Sequence, residues 1–180
     1  MTVGIMTVGT MTIDIHPLDP ATRAFFAGEV SGIDLTRTLS DDEVAAIHAG
    51  MDRFGVLVFR DQRLDDERQL AFSRQLGPLE QATGDIMPPD QRRMSMDLND
   101  ISNLDVNGNV LARDDRRRLF SLGNLLWHSD SSFKDVPAKY SILSARTIPS
   151  AGGNTEFADM RAAYDALDEE SKHEVHDLIC

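Results

Sequence analysis

Residues 40–59 constrain the fold most strongly, because they combine a helix with marked ends and an apolar run. Ser40 precedes three acidic residues, the third a glutamate, which is the pattern of a capping box with acids in the first turn. Apolar side chains then recur at helical spacing as far as Phe54, and Gly55 is suited to end a helix. The next four residues, Val-Leu-Val-Phe at 56–59, predict a buried strand. The fold must therefore pass from a helix directly into a strand.

The remaining patterns indicate an α+β protein with more strand signal in its second half. Short strands are predicted at 13–17, 30–35, 125–133, 139–148 and 155–157. Further helices are predicted at 65–76 and from about Asp159 and Asp168. Residues 80–124 lack a sustained period and predict a long loop, with a hairpin around the turn Asn107-Gly108.

Length and charge limit the class of protein. The 180 residues suit one domain with one core, which we assign to residues 13–180, and residues 1–12 read as a disordered leader. The net charge of −12 argues against nucleic acid binding. Cys180 is the only cysteine, so the sequence offers no pair for a disulfide and favours a reducing compartment. With no signal-peptide pattern and no long apolar run at the N-terminus, we expect a cytoplasmic protein that does not bind a membrane.

The metal-binding signal lies at His128. Side chains at positions i and i+2 of a strand share a face, so His-x-Asp on a strand directs an imidazole and a carboxylate to one point. Such a pair is part of the facial triad of two histidines and one carboxylate that binds non-haem Fe(II). Among the five histidines, His128 alone has an acid two residues on, Asp130. With acids at 30 of 180 positions such a neighbour also arises by chance, which leaves a polar strand residue as the alternative.

Two other charged groups are alternative candidate sites. His173 and His176 lie three residues apart on a predicted helix and could approach one metal ion, but their charged neighbours favour a solvated face. The basic run at 116–118 could attract an anionic substrate, although charge runs usually belong to hydrated loops. His128 therefore stays the candidate metal ligand.

Five ordered blocks resemble a known family. They lie at 55–60, 72–80, 124–133, 140–145 and 152–164, and the block at 124–133 reads Asn-Leu-Leu-Trp-His-Ser-Asp-Ser-Ser-Phe. From about Ile15 to its last residue the chain resembles the taurine/2,4-dichlorophenoxyacetate dioxygenase family. Trp-His-Ser-Asp-Ser-Ser-Phe at 127–133 and Asp-Met-Arg-Ala-Ala-Tyr-Asp-Ala-Leu at 159–167 resemble its aryloxyalkanoate-degrading branch.

The resemblance implies an Fe(II)- and 2-oxoglutarate-dependent dioxygenase. It implies that His128 and Asp130 bind iron, that the Thr155 hydroxyl meets a 2-oxoglutarate carboxylate, and that Asn124 lies near the substrate. The implied reaction uses dioxygen to hydroxylate a small organic acid of the 2,4-dichlorophenoxyacetate type. Ether cleavage then gives a phenol, and 2-oxoglutarate gives succinate and CO2. A homo-oligomer is compatible with this interpretation.

The resemblance also implies that part of the fold is missing. The family core is a double-stranded β-helix (jelly-roll) with flanking helices, and its second iron histidine and 2-oxoglutarate-binding arginine lie well downstream of the position matched by Thr155. We therefore expect the chain to be the N-terminal two thirds of such a domain, without the C-terminal part of the core. We expect the isolated chain to bind Fe(II) weakly, to turn over poorly and to aggregate. The alternatives are an inactive fragment or pseudoenzyme, and a cupin-type metal protein.

Overall fold

The computed structural model describes residues 12–21, 23–80, 92–95 and 97–178. The predicted leader at 1–12 lies outside the described residues except for Thr12, as do 81–91 and 96 of the predicted loop. The chain divides into two units, one formed by residues up to Leu76 together with 145–178, and the other by the described residues of 77–144. Within the described residues, no helix is both long and apolar enough to cross a membrane.

A small sheet lies at the centre of the first unit. Strand β1 (Asp14–Pro17) pairs antiparallel with β2 (Gly28–Ser31), which pairs parallel with β3 (Leu57–Phe59). The strands predicted at 13–17 and 56–59 are confirmed, although β3 is half-buried rather than buried. The strand predicted at 30–35 is misplaced, because Gly32 adopts a left-handed φ of 71° and turns the chain after Ser31.

Helix α1 (Asp41–Phe54) connects β2 to β3 and confirms the predicted capping box. The Ser40 side chain accepts from the Glu43 amide, the Glu43 side chain accepts from the Ser40 amide, and Gly55 ends the helix at a left-handed φ of 70°. The helix packs tightly on β2, since a Cβ on Gly28 would lie 2.8 Å from the Phe54 ring. The βαβ unit formed by β2, α1 and β3 therefore leaves no room for a side chain at Gly28.

Helix α2 (Asp66–Leu76) packs on the sheet through Phe72, whose ring centroid lies 5.9 Å from that of Phe59 in an edge-to-face arrangement. Amide side chains pair with the loop before α1: Gln62 accepts from the Leu35 amide at 2.9 Å, and Gln75 from the Leu39 amide at 2.6 Å. The core of this unit consists of Val30, Ile33, Leu35, Leu39, Ile47, Phe54 and Phe72.

The second unit contains α3 (Arg116–Ser121), which leads into a 3₁₀ helix (Leu122–Leu125). The prediction of an irregular loop at 80–124 is wrong at α3, because the Asp115 side chain caps the Arg117 amide and allows the basic run to begin a helix. The predicted hairpin forms as a single antiparallel bridge, Leu104 to Val110, around Gly108 with its φ of 82°.

Two short helices complete the first unit. They are α4 (Met160–Asp165) and α5 (Glu169–Val175), which begin near Asp159 and Asp168 as predicted. The carboxylates of these two residues cap the N-termini. Both caps are local contacts, since each carboxylate accepts from an amide two or three residues on.

The strands predicted at 125–133, 139–148 and 155–157 are wrong, because these described residues contain no strand. A strand forms only where a neighbouring strand takes up its backbone hydrogen bonds, and no described segment pairs with these three. Their apolar side chains stay in solvent, with Leu125 80%, Phe133 73% and Ile148 79% exposed.

Candidate metal centre

His128 and Asp130 lie in the second unit, directly after the 3₁₀ helix. Leu126 ends that helix with an extended backbone (φ −92°, ψ 146°), and neither His128 nor Asp130 belongs to a strand. The His-x-Asp spacing nevertheless brings the two side chains together, as predicted: Nε2 of His128 lies 3.3 Å from Oδ1 of Asp130. An imidazole and a carboxylate therefore converge on one point without a regular strand beneath them.

The two ring nitrogens of His128 have different surroundings. Nδ1 lies 2.7 Å from the carbonyl oxygen of Leu126, a contact that is a hydrogen bond only when Nδ1 carries the hydrogen. We assign the hydrogen to Nδ1 on this geometry, which leaves a lone pair on Nε2, the nitrogen that lies near Asp130. Two such acceptors 3.3 Å apart repel each other unless a proton or a cation lies between them.

The second carboxylate oxygen of Asp130 accepts a hydrogen bond from a hydroxyl group. Ser141 donates a hydrogen bond of 2.6 Å from Oγ to Oδ2, while Oδ1 is the oxygen that faces His128. The carboxylate thus presents one oxygen to the imidazole and the other to Ser141. The side chains of His128 and Asp130 are 48% and 58% exposed, so solvent ions can reach them.

Glu80 accepts hydrogen bonds from the segment that follows Asp130. Its Oε1 accepts from Ser131 Oγ at 2.9 Å and from Lys134 Nζ at 2.6 Å, while Oε2 is buried without a hydrogen-bond partner. The hydrogen bond from Lys134 lowers the pKa of Glu80 below its ordinary value. Ser131 itself has a left-handed backbone with φ of 56°, so the chain turns sharply at the residue after Asp130.

Beside His128 and Asp130, the described part of the chain offers no third side chain that could bind the same metal ion. Across those residues, no group of three or more histidine, cysteine or acidic side chains could hold a metal ion. His173 and His176 are both exposed, as predicted for a solvated face. The described residues therefore place two candidate metal donors, His128 and Asp130, side by side.

The other predicted site residues are exposed. Asn124 is in the 3₁₀ helix of the second unit, and Thr155 lies in the first unit outside any helix or strand. Their roles toward substrate and 2-oxoglutarate stay predictions. A cavity of about 320 Å³ in the first unit contains neither of them; its lining residues are Ile33, Asp34, Thr36, Asp61, Gln62 and Arg63.

Sequence reasoning missed Ser141, Glu80 and Lys134. Ser141 follows Asp130 by 11 residues, and the contact of Glu80 with Lys134 spans 54 residues. No periodicity connects positions so far apart in irregular segments. Ser141 lies within the family-like block at 140–145, which was its only signal in the sequence.

The sequence profile described as "Taurine catabolism dioxygenase TauD, TfdA family" matches residues 14–179, almost the whole chain. The chain belongs to this family. The matched region includes residues of both structural units, and it contains His128 and Asp130.

Relatives within the family have related names. The chain is 44% identical over 168 residues to an alpha-ketoglutarate-dependent 2,4-dichlorophenoxyacetate dioxygenase of Cupriavidus pinatubonensis, covering 93% of this chain and 57% of the relative. It is 39% identical over 167 residues to an (S)-phenoxypropionate/alpha-ketoglutarate-dioxygenase of Sphingobium herbicidovorans. That match covers 92% of this chain and 51% of the relative. The chain spans about half the length of the curated relatives it matches.

The fold is similar to that of a crystal structure of AAD-2 in complex with Mn(II) and N-oxalylglycine. The TM-score is 0.78 at 49% identity, over 93% of this chain and 54% of that one. A second structure, of a protein from Burkholderia xenovorans described as a putative alpha-ketoglutarate dependent 2,4-D dioxygenase, gives a TM-score of 0.63 at 29% identity, over 91% and 50%. The described architecture is thus a mixed α and β fold of the same kind.

The donor set fits a divalent first-row ion. An imidazole nitrogen and a carboxylate oxygen are two of the ligand types in a facial triad. Two adjacent ligands with bonds of roughly 2.1 Å lie about 3 Å apart, close to the 3.3 Å between Nε2 of His128 and Oδ1 of Asp130. The described residues could therefore hold such an ion at two of its positions.

Proposed function

We propose that this chain is part of an Fe(II)- and 2-oxoglutarate-dependent dioxygenase that acts on an aryloxyalkanoic acid. The convergence of His128 Nε2 and Asp130 Oδ1 is the observation that carries the proposal. Family membership supports it, because the matched profile is that of a dioxygenase family. The substrate class is supported by two relatives whose names specify 2,4-dichlorophenoxyacetate and (S)-phenoxypropionate.

In this proposal His128 holds Fe(II) through Nε2 and Asp130 holds it through Oδ1. When bound, Fe(II) with 2-oxoglutarate supplies oxygen activation, which hydroxylates the carbon beside the ether oxygen and releases succinate and CO2. The Leu126 carbonyl keeps the hydrogen of His128 on Nδ1, and Nε2 is thereby free for the metal. Thr155 is assigned to a carboxylate of 2-oxoglutarate, and Asn124 to the substrate.

The fold proposed for the whole domain is a jelly-roll with flanking helices, to which residues 13–180 contribute. The described residues form one sheet of three strands, and the jelly-roll itself belongs to the proposal. A cytoplasmic location, dioxygen as co-substrate, the absence of nucleic acid partners and compatibility with a homo-oligomer belong to the same proposal. The net charge of −12 supports the exclusion of nucleic acids.

Metal binding to the purified chain tests the half-site. Trp127 is the only tryptophan, and it precedes His128, so its fluorescence should report binding of Mn(II) or Co(II). We expect a saturable change in the wild type and an affinity lower by more than about 100-fold in His128→Ala and Asp130→Ala. His173→Ala, which removes an exposed histidine outside the site, serves as the matched control and should bind like the wild type. Equal binding by His128→Ala and the wild type would contradict the site.

Turnover tests the reaction. With Fe(II), 2,4-dichlorophenoxyacetate and oxygen, we expect release of a phenol and succinate that depends on 2-oxoglutarate and disappears in His128→Ala. We expect this rate to be low for the 180-residue chain, because its described residues supply two metal donors. Oxygen uptake that does not require 2-oxoglutarate would instead support a cupin-type metal protein. Metal binding without any turnover, under conditions where a relative is active, would support a pseudoenzyme or fragment.

A further inference from the structure

We propose that Ser141 is a positioning residue that selects which oxygen of Asp130 is presented to the metal ion. The inference rests on the proposed function, because it assigns a role to Ser141 only if His128 and Asp130 bind a metal. Ser141 contacts neither the ion nor a substrate in this proposal and acts through the carboxylate.

The hydrogen bond of Ser141 is the first part of the argument. Its Oγ lies 2.6 Å from Oδ2 of Asp130, a length typical of a hydroxyl that donates to a charged carboxylate. The other oxygen, Oδ1, lies 3.3 Å from His128 Nε2. One oxygen is therefore engaged by a donor, and the other is left beside the imidazole.

Exposure of Asp130 is the second part. Its side chain is 58% exposed, so packing does not restrict its rotation, and the two oxygens are chemically equivalent until something distinguishes them. Ordering a free side chain on metal binding costs conformational entropy. A donor that holds Oδ2 before the metal arrives reduces that cost and favours coordination through Oδ1 alone.

The backbone next to Asp130 is the third part. Glu80 holds Ser131 and Lys134, which restrains the turn directly after Asp130. Ser141 thus acts on a carboxylate whose main chain is already restrained. Outer-shell hydrogen bonds of this kind orient the ligands of metal sites, and their loss typically costs about 10- to 100-fold in metal affinity.

Three variants test the inference in the full chain. Ser141→Ala removes the donor, Ser141→Thr keeps a hydroxyl at an exposed position, and Ser132→Ala is a matched control at an exposed serine in the same segment. Mn(II) and Co(II) affinities are read from Trp127 fluorescence. The absorption spectrum of bound Co(II) reports its coordination, and urea unfolding without metal reports stability.

We expect Ser141→Ala to lower metal affinity about tenfold or more and to alter the Co(II) spectrum, with an unfolding midpoint like that of the wild type. Ser141→Thr should restore most of the affinity and the spectrum, and Ser132→Ala should match the wild type. A purely structural serine would instead shift the unfolding midpoint and leave the Co(II) spectrum unchanged, which overturns the inference.

The outcomes separate this inference from the proposed function. If the wild type binds, His128→Ala does not, and Ser141→Ala binds as tightly as the wild type, the positioning role is wrong and the metal half-site stands. If Ser141→Ala and Ser132→Ala weaken binding equally, the positioning role is also wrong. If the wild type shows no saturable binding of either ion, the proposed metal site fails and the role of Ser141 fails with it.

Discussion

Single side chains in this protein satisfy several partners at once, and Glu43 is the clearest case. It is buried at the start of α1, where Oε2 accepts from Arg37 Nη1 at 2.9 Å and from the Ser40 amide at 2.8 Å. The hydrogen bond from Arg37 is the largest cause of a pKa lowered from 4.5 to about 2, followed by the backbone hydrogen bond from Ser40. The folded state thus favours the charged carboxylate.

Glu43→Gln should therefore destabilise the protein in a pH-dependent way. Because the folded pKa lies below the ordinary value, the stabilisation is complete above pH 4.5 and is lost as the pH falls toward about 2. We expect the variant to lose roughly 1 to 2 kcal/mol of unfolding free energy at neutral pH, and we expect its difference from the wild type to shrink as the pH falls from 4.5 to about 3. Urea unfolding between pH 7 and pH 3 measures it.

The control for this experiment is Glu67→Gln, which removes an exposed acid from the first turn of α2. Many carboxylates titrate in this range, so only the difference between each variant and the wild type is informative. A loss of the same size at neutral pH and at pH 3 would show that the Glu43 charge contributes nothing to folding.

At the scale of elements, short helices depend on side chains from other segments. Helix α4 has six residues, too few to be stable alone. Arg161 donates to the Asp52 and Arg53 carbonyls near the end of α1 at 3.1 and 3.2 Å, and it pairs with the Asp159 carboxylate. A guanidinium suits this position, since the last carbonyls of a helix carry partial negative charge.

Arg161→Ala should release α4 from α1. We expect a loss of about 1 kcal/mol in global stability, as for other exposed helix-terminus charges, and a larger loss of amide protection confined to 160–165. Hydrogen exchange followed by mass spectrometry measures both, with Arg113→Ala, at an exposed arginine, as the control. Unchanged exchange in α4 would mean that the contacts of Arg161 do not stabilise that helix.

At the scale of the whole molecule, exposed apolar side chains are numerous in the segments around His128 and Asp130. Phe120 is 72%, Leu125 80% and Val136 84% exposed. Contiguous exposed apolar surface usually lies in an interface or promotes association. The sequence patterns predict strands for part of this region. Because no described segment pairs with these residues, their side chains have no core to enter.

We expect the chain to self-associate as its concentration rises, measured by analytical ultracentrifugation. Phe120→Lys combined with Leu125→Lys should reduce association even though it makes the net charge of −12 less negative, because the removed surface is apolar. Two lysines placed at the exposed polar residues Ser132 and Asn124 are the charge-matched control. Association that falls equally in both variants would point to charge rather than apolar burial.

Local signals predicted α1, α2 and the starts of α4 and α5, but they missed α3. The ends of α1, the caps of α4 and α5, and the pairing of His128 with Asp130 all depend on residues within four positions of each other. Their hydrogen bonds close small loops, so the chain can form them from nearby residues alone. The family blocks extended this prediction to chemistry, and the profile match bears out the family.

Tertiary structure decided what distant residues do. The strands predicted at 125–133, 139–148 and 155–157 do not form among the described residues, because strand pairing needs a partner that local sequence cannot supply. The contacts of Ser141 with Asp130 and of Glu80 with Lys134 are likewise invisible to periodicity. The approach of His128 to Asp130 was predictable because the two residues are neighbours in the chain, whereas their restraint comes from residues that only folding brings near.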